Sequence, residues 1–270
     1  ANFQSRYLEE AFQQHKIPYH ITNGQCFYDR KEVKVLLDYL RVISNPNSDD
    51  GNDALVNILN VPNRYIGRKF IQELKDFSSR RGVHLYEGLK SMGIDLVYVR
   101  KNVKDFISFM DPLIDDSGNL MPSEVIQLLR SSLDYDRYIT DEDIPSPDDV
   151  KIANLNQLQL AAARYSSIAA FLEYTESFQD QHVSDNKDGV SLMTIHKAKG
   201  LEFPVVFLVG MVEGILPSKK GDLEEERRIC FVAMSRAMNL LYLSHSLTYL
   251  GQPTKKSIFL DESFSAGLFP

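Results

Sequence analysis

The sequence predicts an α/β fold in which a parallel-sheet domain, built from both ends of the chain, is interrupted by an inserted all-helical domain. Three observations lead there. The stretches that read as strands, the short IPYHI (17–21) and the continuous apolar runs VVFLVG (205–210) and LLYLSH (240–245), lie only towards the two ends. Continuous runs of this kind suit parallel strands covered on both faces. Between 52 and 187 every periodic stretch has helical spacing, with no convincing alternating strand. Charge divides the chain in the same way: of a net −7, residues 48–188 carry 24 Asp/Glu against 15 Lys/Arg, so the flanks are slightly basic.

The elements follow in order. SRYLEEAFQQH (5–15) has Tyr7, Leu8, Ala11 and Phe12 at helical spacing, with Ser5 as a cap, and the IPYHI strand follows a proline-marked entry. DRKEVKVLLDYLRVI (29–43) is a second helix with Val33, Leu36, Leu37 and Leu40 on one face. Asn45-Pro46 and the polar run after it break the chain and give the first boundary. Helices are expected over 52–60, 68–80, 101–113, 122–133 and about 148–178, and the polar loop VSDNKDG (183–189) closes this region. A strand over 190–195, an elbow, the strand at 205–210, a helix over about 222–238 and the strand at 240–245 complete the pattern. SIFLDE (257–262) imitates a carboxylate-ended strand and reads as the edge of the domain.

Composition sets bounds on function. At 270 residues the chain accommodates one large domain or two ordinary ones, and 43% hydrophobic with 25% charged residues is usual for a globular protein. No apolar run approaches the roughly 20 residues that span a bilayer, so no membrane partner is expected. The two cysteines, Cys26 and Cys230, sit among apolar or aromatic neighbours, which suits a reducing cytoplasm. Ala1 opens the chain without a methionine, which suggests a fragment or a processed chain. Overall acidity does not exclude nucleic acid, because residues 64–81 carry six Lys/Arg against two acids.

The chemistry-bearing run is Thr194-Ile195-His196-Lys197-Ala198-Lys199-Gly200-Leu201-Glu202. Open α/β sheets bind ligands beyond the carboxyl ends of their strands, which is where this run falls. Its hydroxyl, imidazole and ammonium groups suit phosphates, Glu202 suits a ribose hydroxyl, and Gly200 lets backbone approach closely. A solvated basic elbow fits the spacing equally well. In the helix over 222–238, Asp222, Glu224, Glu225 and Glu226 favour the positive N-terminal end, while Leu223, Cys230, Met234 and Ala237 form a buried stripe. Arg236 then falls near the far end, either complementing the helix C-terminus or projecting from the domain surface. In NVPNRYIGRKFIQEL (60–74), a turn glycine feeds a helix beside Arg64, Arg68 and Lys69, which makes an anion site.

TIHKAKGLE (194–202) and VAMSRA (232–237) resemble motifs V and VI of the UvrD/PcrA/Rep family of superfamily 1 DNA helicases. The N-terminal stretch is similar to the family segment after motif IV, through QSR, LEEA, IPY and an L-x-N-P-like ending (RVISNP). The resemblance implies that 1–47 and 188–270 form the second RecA-like domain of a 3′→5′ helicase, and 48–187 its helical insertion. It implies single-stranded DNA near His196, less specific DNA or coupling contacts at Thr194 and Lys199, and a nucleotide ribose contact at Glu202 beside Gly200. For Arg236 it implies the catalytic arginine finger on the γ-phosphate of ATP. Arg64, Arg68 and Lys69 take the place of family residues that contact duplex DNA at a junction, where the family reads VPxRGIG and this chain has Tyr65 for the first glycine.

The chain has no G-x-x-x-x-G-K-[ST] run and no Gly-Lys pair. ATP and Mg²⁺ would therefore be held mainly by a preceding N-terminal helicase domain, and the chain alone is expected to be inactive. No protein metal site is expected: HExxH and CxxC patterns do not occur, and the histidines are scattered. The alternative is a non-motor nucleic-acid-binding or protein-docking module that retains the helicase fold.

Overall fold

The computed structural model describes residues 4–22, 25–141, 149–179, 189–219, 221–249 and 251–265. The chain forms two compact units, one of Ala1–Cys26 with Asp185–Pro270, the other of Phe27–Ser184. The polar loop expected at 183–189 lies outside the described residues except for Gly189.

The first unit mixes helices with small parallel sheets. Helix α1 (Ser5–Gln14) has Gln4 at its N-cap position, so Ser5 lies inside the first turn instead of capping it. Strand β1 (Tyr19–Ile21) pairs in parallel with β2 (Val190–Leu192), Tyr19 opposite Val190 and Ile21 opposite Leu192. The expected strand over 190–195 is thus shorter. It gives way to one helical turn, α11 (Ile195–Ala198), because Thr194 accepts from the Lys197 N–H and turns the backbone. Strand β3 (Phe203–Leu208) runs parallel to β4 (Ala237–Leu243), joined by α12 (Leu223–Met234). A short hairpin, β5 (Thr248–Tyr249) with β6 (Gln252–Pro253), and helix α13 (Ile258–Ser265) follow.

Two expectations change here. The helix expected to run to 238 stops at Met234, since Ala237 is taken into β4 opposite Phe203. Only one face of the β3–β4 pair is covered: Leu208, Met211, Cys230, Ala233, Phe259 and Leu260 form the core between it, α12 and α13. Val205, Phe207, Leu240 and Tyr242 on the other face are exposed among the described residues. Burial pushes the Cys230 thiol up to about 11, with Glu262 and Glu226 adding to it, so Cys230 is a buried apolar residue rather than a nucleophile.

SIFLDE is helical, and both of its carboxylates are used in ion pairs. Asp261 pairs with Lys256, and Glu262 takes a bidentate pair from Arg227 at 2.8 Å through both Nε and Nη2. The Arg227 guanidinium holds the Glu262 carboxyl below its ordinary range. A carboxyl depressed in the folded state contributes stability above its unfolded pKa and loses it as pH falls through the folded value. The substitution Glu262→Gln is therefore expected to lower melting slightly at neutral pH and to leave it almost unchanged in acid, where the pair's contribution is already lost, so flattening the acid limb in pH-dependent thermal melts.

The second unit is helical throughout its described residues. Its helices are α2 (Lys31–Ser44), α3 (Asp49–Ile58), α4 (Arg68–Arg81), α5 (Leu85–Ser91), α6 (Val97–Asp115), α7 (Pro122–Ser132), α8 (Tyr135–Thr140), α9 (Val150–Ala162) and α10 (Ile168–Gln179). The single helix expected over about 148–178 is two, because Ala163–Ser167 breaks it and Ser167 Oγ then accepts from the Ala170 N–H. Helix α2 is the centre of the unit. Val33, Leu36, Leu37, Tyr39, Leu40, Val42 and Ile43 are all wholly buried, on more than the one face expected. Polar ties fix it as well: Asp38 accepts from Arg41 at 2.8 Å and from Asn57 at 3.0 Å, and Arg30 and Glu32 both bond Asn154. The first crossing between the compact units falls at Cys26/Phe27, with α2 packed against the helices that follow it. No helix among the described residues is long and apolar enough to cross a membrane.

Candidate functional site

In the first unit, the elbow between β2 and β3 places the predicted residues on one exposed surface. Ile195 packs against the core and Ala198 is buried, which anchors α11 and leaves His196, Lys197 and Lys199 outward. Thr194 accepts weakly from the Lys197 N–H at 3.4 Å, and its own hydroxyl proton remains available to donate. Gly200 has φ +85°, a left-handed conformation that a side chain resists, while space at its Cβ position is open. The glycine is thus required by the turn that leads into β3, and backbone there is reachable from outside. Glu202 follows, also exposed.

Arg236 meets this elbow. It lies in the turn between α12 and β4, and its backbone carbonyl accepts from the Phe203 N–H at 2.9 Å. Its guanidinium folds back: Nε donates to the Val232 carbonyl at 2.9 Å, Nη1 to the Leu201 carbonyl at 3.0 Å and Nη2 to Ser235 Oγ at 3.0 Å. Gly200, Glu202 and Arg236 are therefore neighbours, although more than 30 residues separate Leu201 from Arg236 in sequence. The bond to Val232 is the helix-terminal role an isolated arginine takes, the first of the two sequence readings of Arg236. The Leu201 carbonyl is a partner that motif spacing does not reveal. Of the N-terminal polar residues, Arg6 is buried and paired with Glu10, and the Gln4 amide packs onto Gly210, so both serve the fold. Among the described residues no group of three or more His, Cys, Asp or Glu is set to hold a metal.

In the helical unit, the basic loop before α4 uses its arginines unequally. Arg64 is turned inward: Nη1 lies 2.9 Å from the Val61 carbonyl and 3.1–3.3 Å from those of Ile58, Leu59 and Pro62. Nη2 donates to the Tyr39 hydroxyl at 2.8 Å, and the guanidinium lies over the Phe106 ring. Where the sequence reading expects a DNA contact at Arg64, Nη1 is turned onto the loop's own carbonyls and Nη2 onto Tyr39. Asn60 Oδ1 accepts from the backbone N–H groups of Arg64 and Ile66, and Asn102 donates to the Arg64 carbonyl at 2.7 Å. Tyr39 and Asn102, far apart in sequence, are partners that motif spacing does not reveal.

Arg68 and Lys69 remain outward at the start of α4, whose N-cap Gly67 supplies no side-chain cap. No acid occupies the first turn, so the two cations add to the positive end of the helix dipole. Tyr65 has φ +58° and stands 71% exposed. The backbone keeps the left-handed conformation that glycine suits, at a cost of about 1–2 kcal/mol for a side chain.

Comparison with known proteins gives the family. Residues 1–248 match the family described as UvrD-like helicase C-terminal domain. The chain is similar to the ATP-dependent DNA helicase PcrA of Staphylococcus epidermidis, with 36% identity over 97% of this chain and 38% of that protein. It is similar also to PcrA of Staphylococcus aureus strain MRSA252, at 33% identity over the same shares. The chain thus spans well under half the length of these curated relatives.

Proposed function

Because the chain belongs to the UvrD-like helicase C-terminal family, we propose that it is the C-terminal portion of an ATP-dependent helicase moving 3′→5′ on single-stranded DNA. The observation that carries this is the junction of the elbow with Arg236, which gathers Gly200, Glu202 and a guanidinium on one exposed edge. In this reading the first unit is the second RecA-like domain and the helical unit its insertion. ATP and Mg²⁺ are held mainly by a preceding domain, since no P-loop occurs in this chain. What the chain supplies is a carboxylate at Glu202 to accept from ribose hydroxyls and, once Arg236 swings off the Leu201 carbonyl, donors for phosphate oxygens. Thr194, half-buried, and the exposed His196 and Lys199, on the same elbow or beside it, face the single strand. A short elbow shared by both sets gives a direct route from nucleotide state to DNA grip.

The test is ATP hydrolysis by the full-length protein with and without single-stranded DNA. Stimulation by DNA is the expected result, and His196→Ala is expected to reduce that stimulation by about tenfold, an ordinary size for coupling between two sites. Undiminished stimulation would remove His196 from the DNA track. A second reading, a non-motor binding module, draws on the present engagement of Arg236 with its own helix end and elbow. Full-length protein that binds DNA without stimulated hydrolysis would favour it.

A further inference from the structure

We propose that Tyr65 stacks on an unpaired nucleobase of DNA, so that the loop before α4 grips a junction between single and double strand and not the continuous backbone of a duplex. This rests on the helicase reading above and assigns its substrate contact in the helical unit. The first ground is the rigidity of the mount. The N–H groups of Arg64, Tyr65 and Ile66 are all held by asparagine side chains, the Arg64 carbonyl by Asn102, and Ile66 is buried. A ring on such a base is presented outward at fixed angle, with little ordering left to do on binding.

The second ground is the surrounding chemistry. Lys69 is 92% exposed and Arg68 is exposed beside it. Because Asn102 of α6 grips the Arg64 carbonyl, the first turns of α6 flank the loop. Tyr98, one turn before Asn102 on the same face of α6, is 55% exposed. Exposed aromatic rings interleaved with cations fit a polyanion that carries π-faces, which is the pattern of single-strand binding surfaces. The third ground is steric. A tyrosine where the backbone is left-handed keeps phosphates from the loop's amides, yet offers the face that a flush duplex backbone cannot use.

The experiment uses the full-length protein with a forked DNA carrying 2-aminopurine at the base beside the junction, a blunt duplex, and the variants Y65G and Y65F. Glycine suits φ +58°, so Y65G is expected to melt at or above the wild-type temperature, which removes misfolding as an explanation. The expected result is a 2-aminopurine change on binding that Y65F keeps and Y65G loses, with about tenfold weaker affinity for the fork only. An unchanged signal in Y65G, or equal losses on fork and blunt duplex, would overturn the stacking proposal. Wild-type protein without DNA-stimulated hydrolysis would overturn the helicase reading instead, so the two failures are distinguishable.

Discussion

Replacing Arg236 by alanine in the full-length protein is expected to lower ATP hydrolysis by about 10³–10⁵-fold while nucleotide affinity stays within a few-fold. A guanidinium delivered onto developing phosphoryl charge acts in the transition state, so its loss appears in turnover and not in ground-state binding. The competing account is structural. Arg236 ties the end of α12 to the elbow through the Val232 and Leu201 carbonyls, and removing it frees both. Those bonds lie at a partly exposed chain turn where water can replace them, so their loss costs about 1 kcal/mol and cannot silence an enzyme. Lysine separates the accounts further, since one ammonium still reaches a helix-end carbonyl but does not reproduce the planar fork. Inactivity of both Arg236→Ala and Arg236→Lys, with melting nearly unchanged, supports the finger. Turnover at the wild-type rate in either variant sinks it.

What the sequence revealed and what it hid have physical causes. The parallel pair β3–β4 was legible as two apolar runs, and the start of α12 as Asp222, which accepts from the Glu225 N–H at 3.0 Å. The end of α12 was not, because Ala237 and Met238 continue a helical stripe and only pairing with β3 draws the chain into a strand. The placement of α2 was hidden for a similar reason. Helical periodicity tells which side is apolar but not which neighbours cover it, and here the helix is buried nearly all round. Among site residues, the elbow was legible because a charged run between strands has no packing role. The inward turn of Arg64 was hidden, since nothing in a linear pattern shows four carbonyls converging on one nitrogen.

That convergence yields the second large effect. The substitution Arg64→Ala is expected to destabilise the helical unit by about 3 kcal/mol, because it orphans loop carbonyls and the Tyr39 hydroxyl partner together. For a unit of this size that corresponds to roughly 6–12 °C in melting temperature. Lysine is expected to recover only part of the loss, since its single ammonium does not reach the carbonyls and the Tyr39 hydroxyl at once, nor lie flat over Phe106. A direct phosphate contact would behave in the opposite way. Arg64→Ala would then leave melting unchanged and reduce the salt dependence of DNA binding by about one unit of slope. Lys69→Ala provides the internal control: this side chain is almost wholly exposed, and its one ion pair, to Glu73, is 3.9 Å long. Its loss is expected to spare stability and to lower the salt slope. A melting loss confined to Arg64→Ala with a slope loss confined to Lys69→Ala would divide the loop into a residue that builds the surface and residues that meet DNA; a reversed pattern would return Arg64 to the interface.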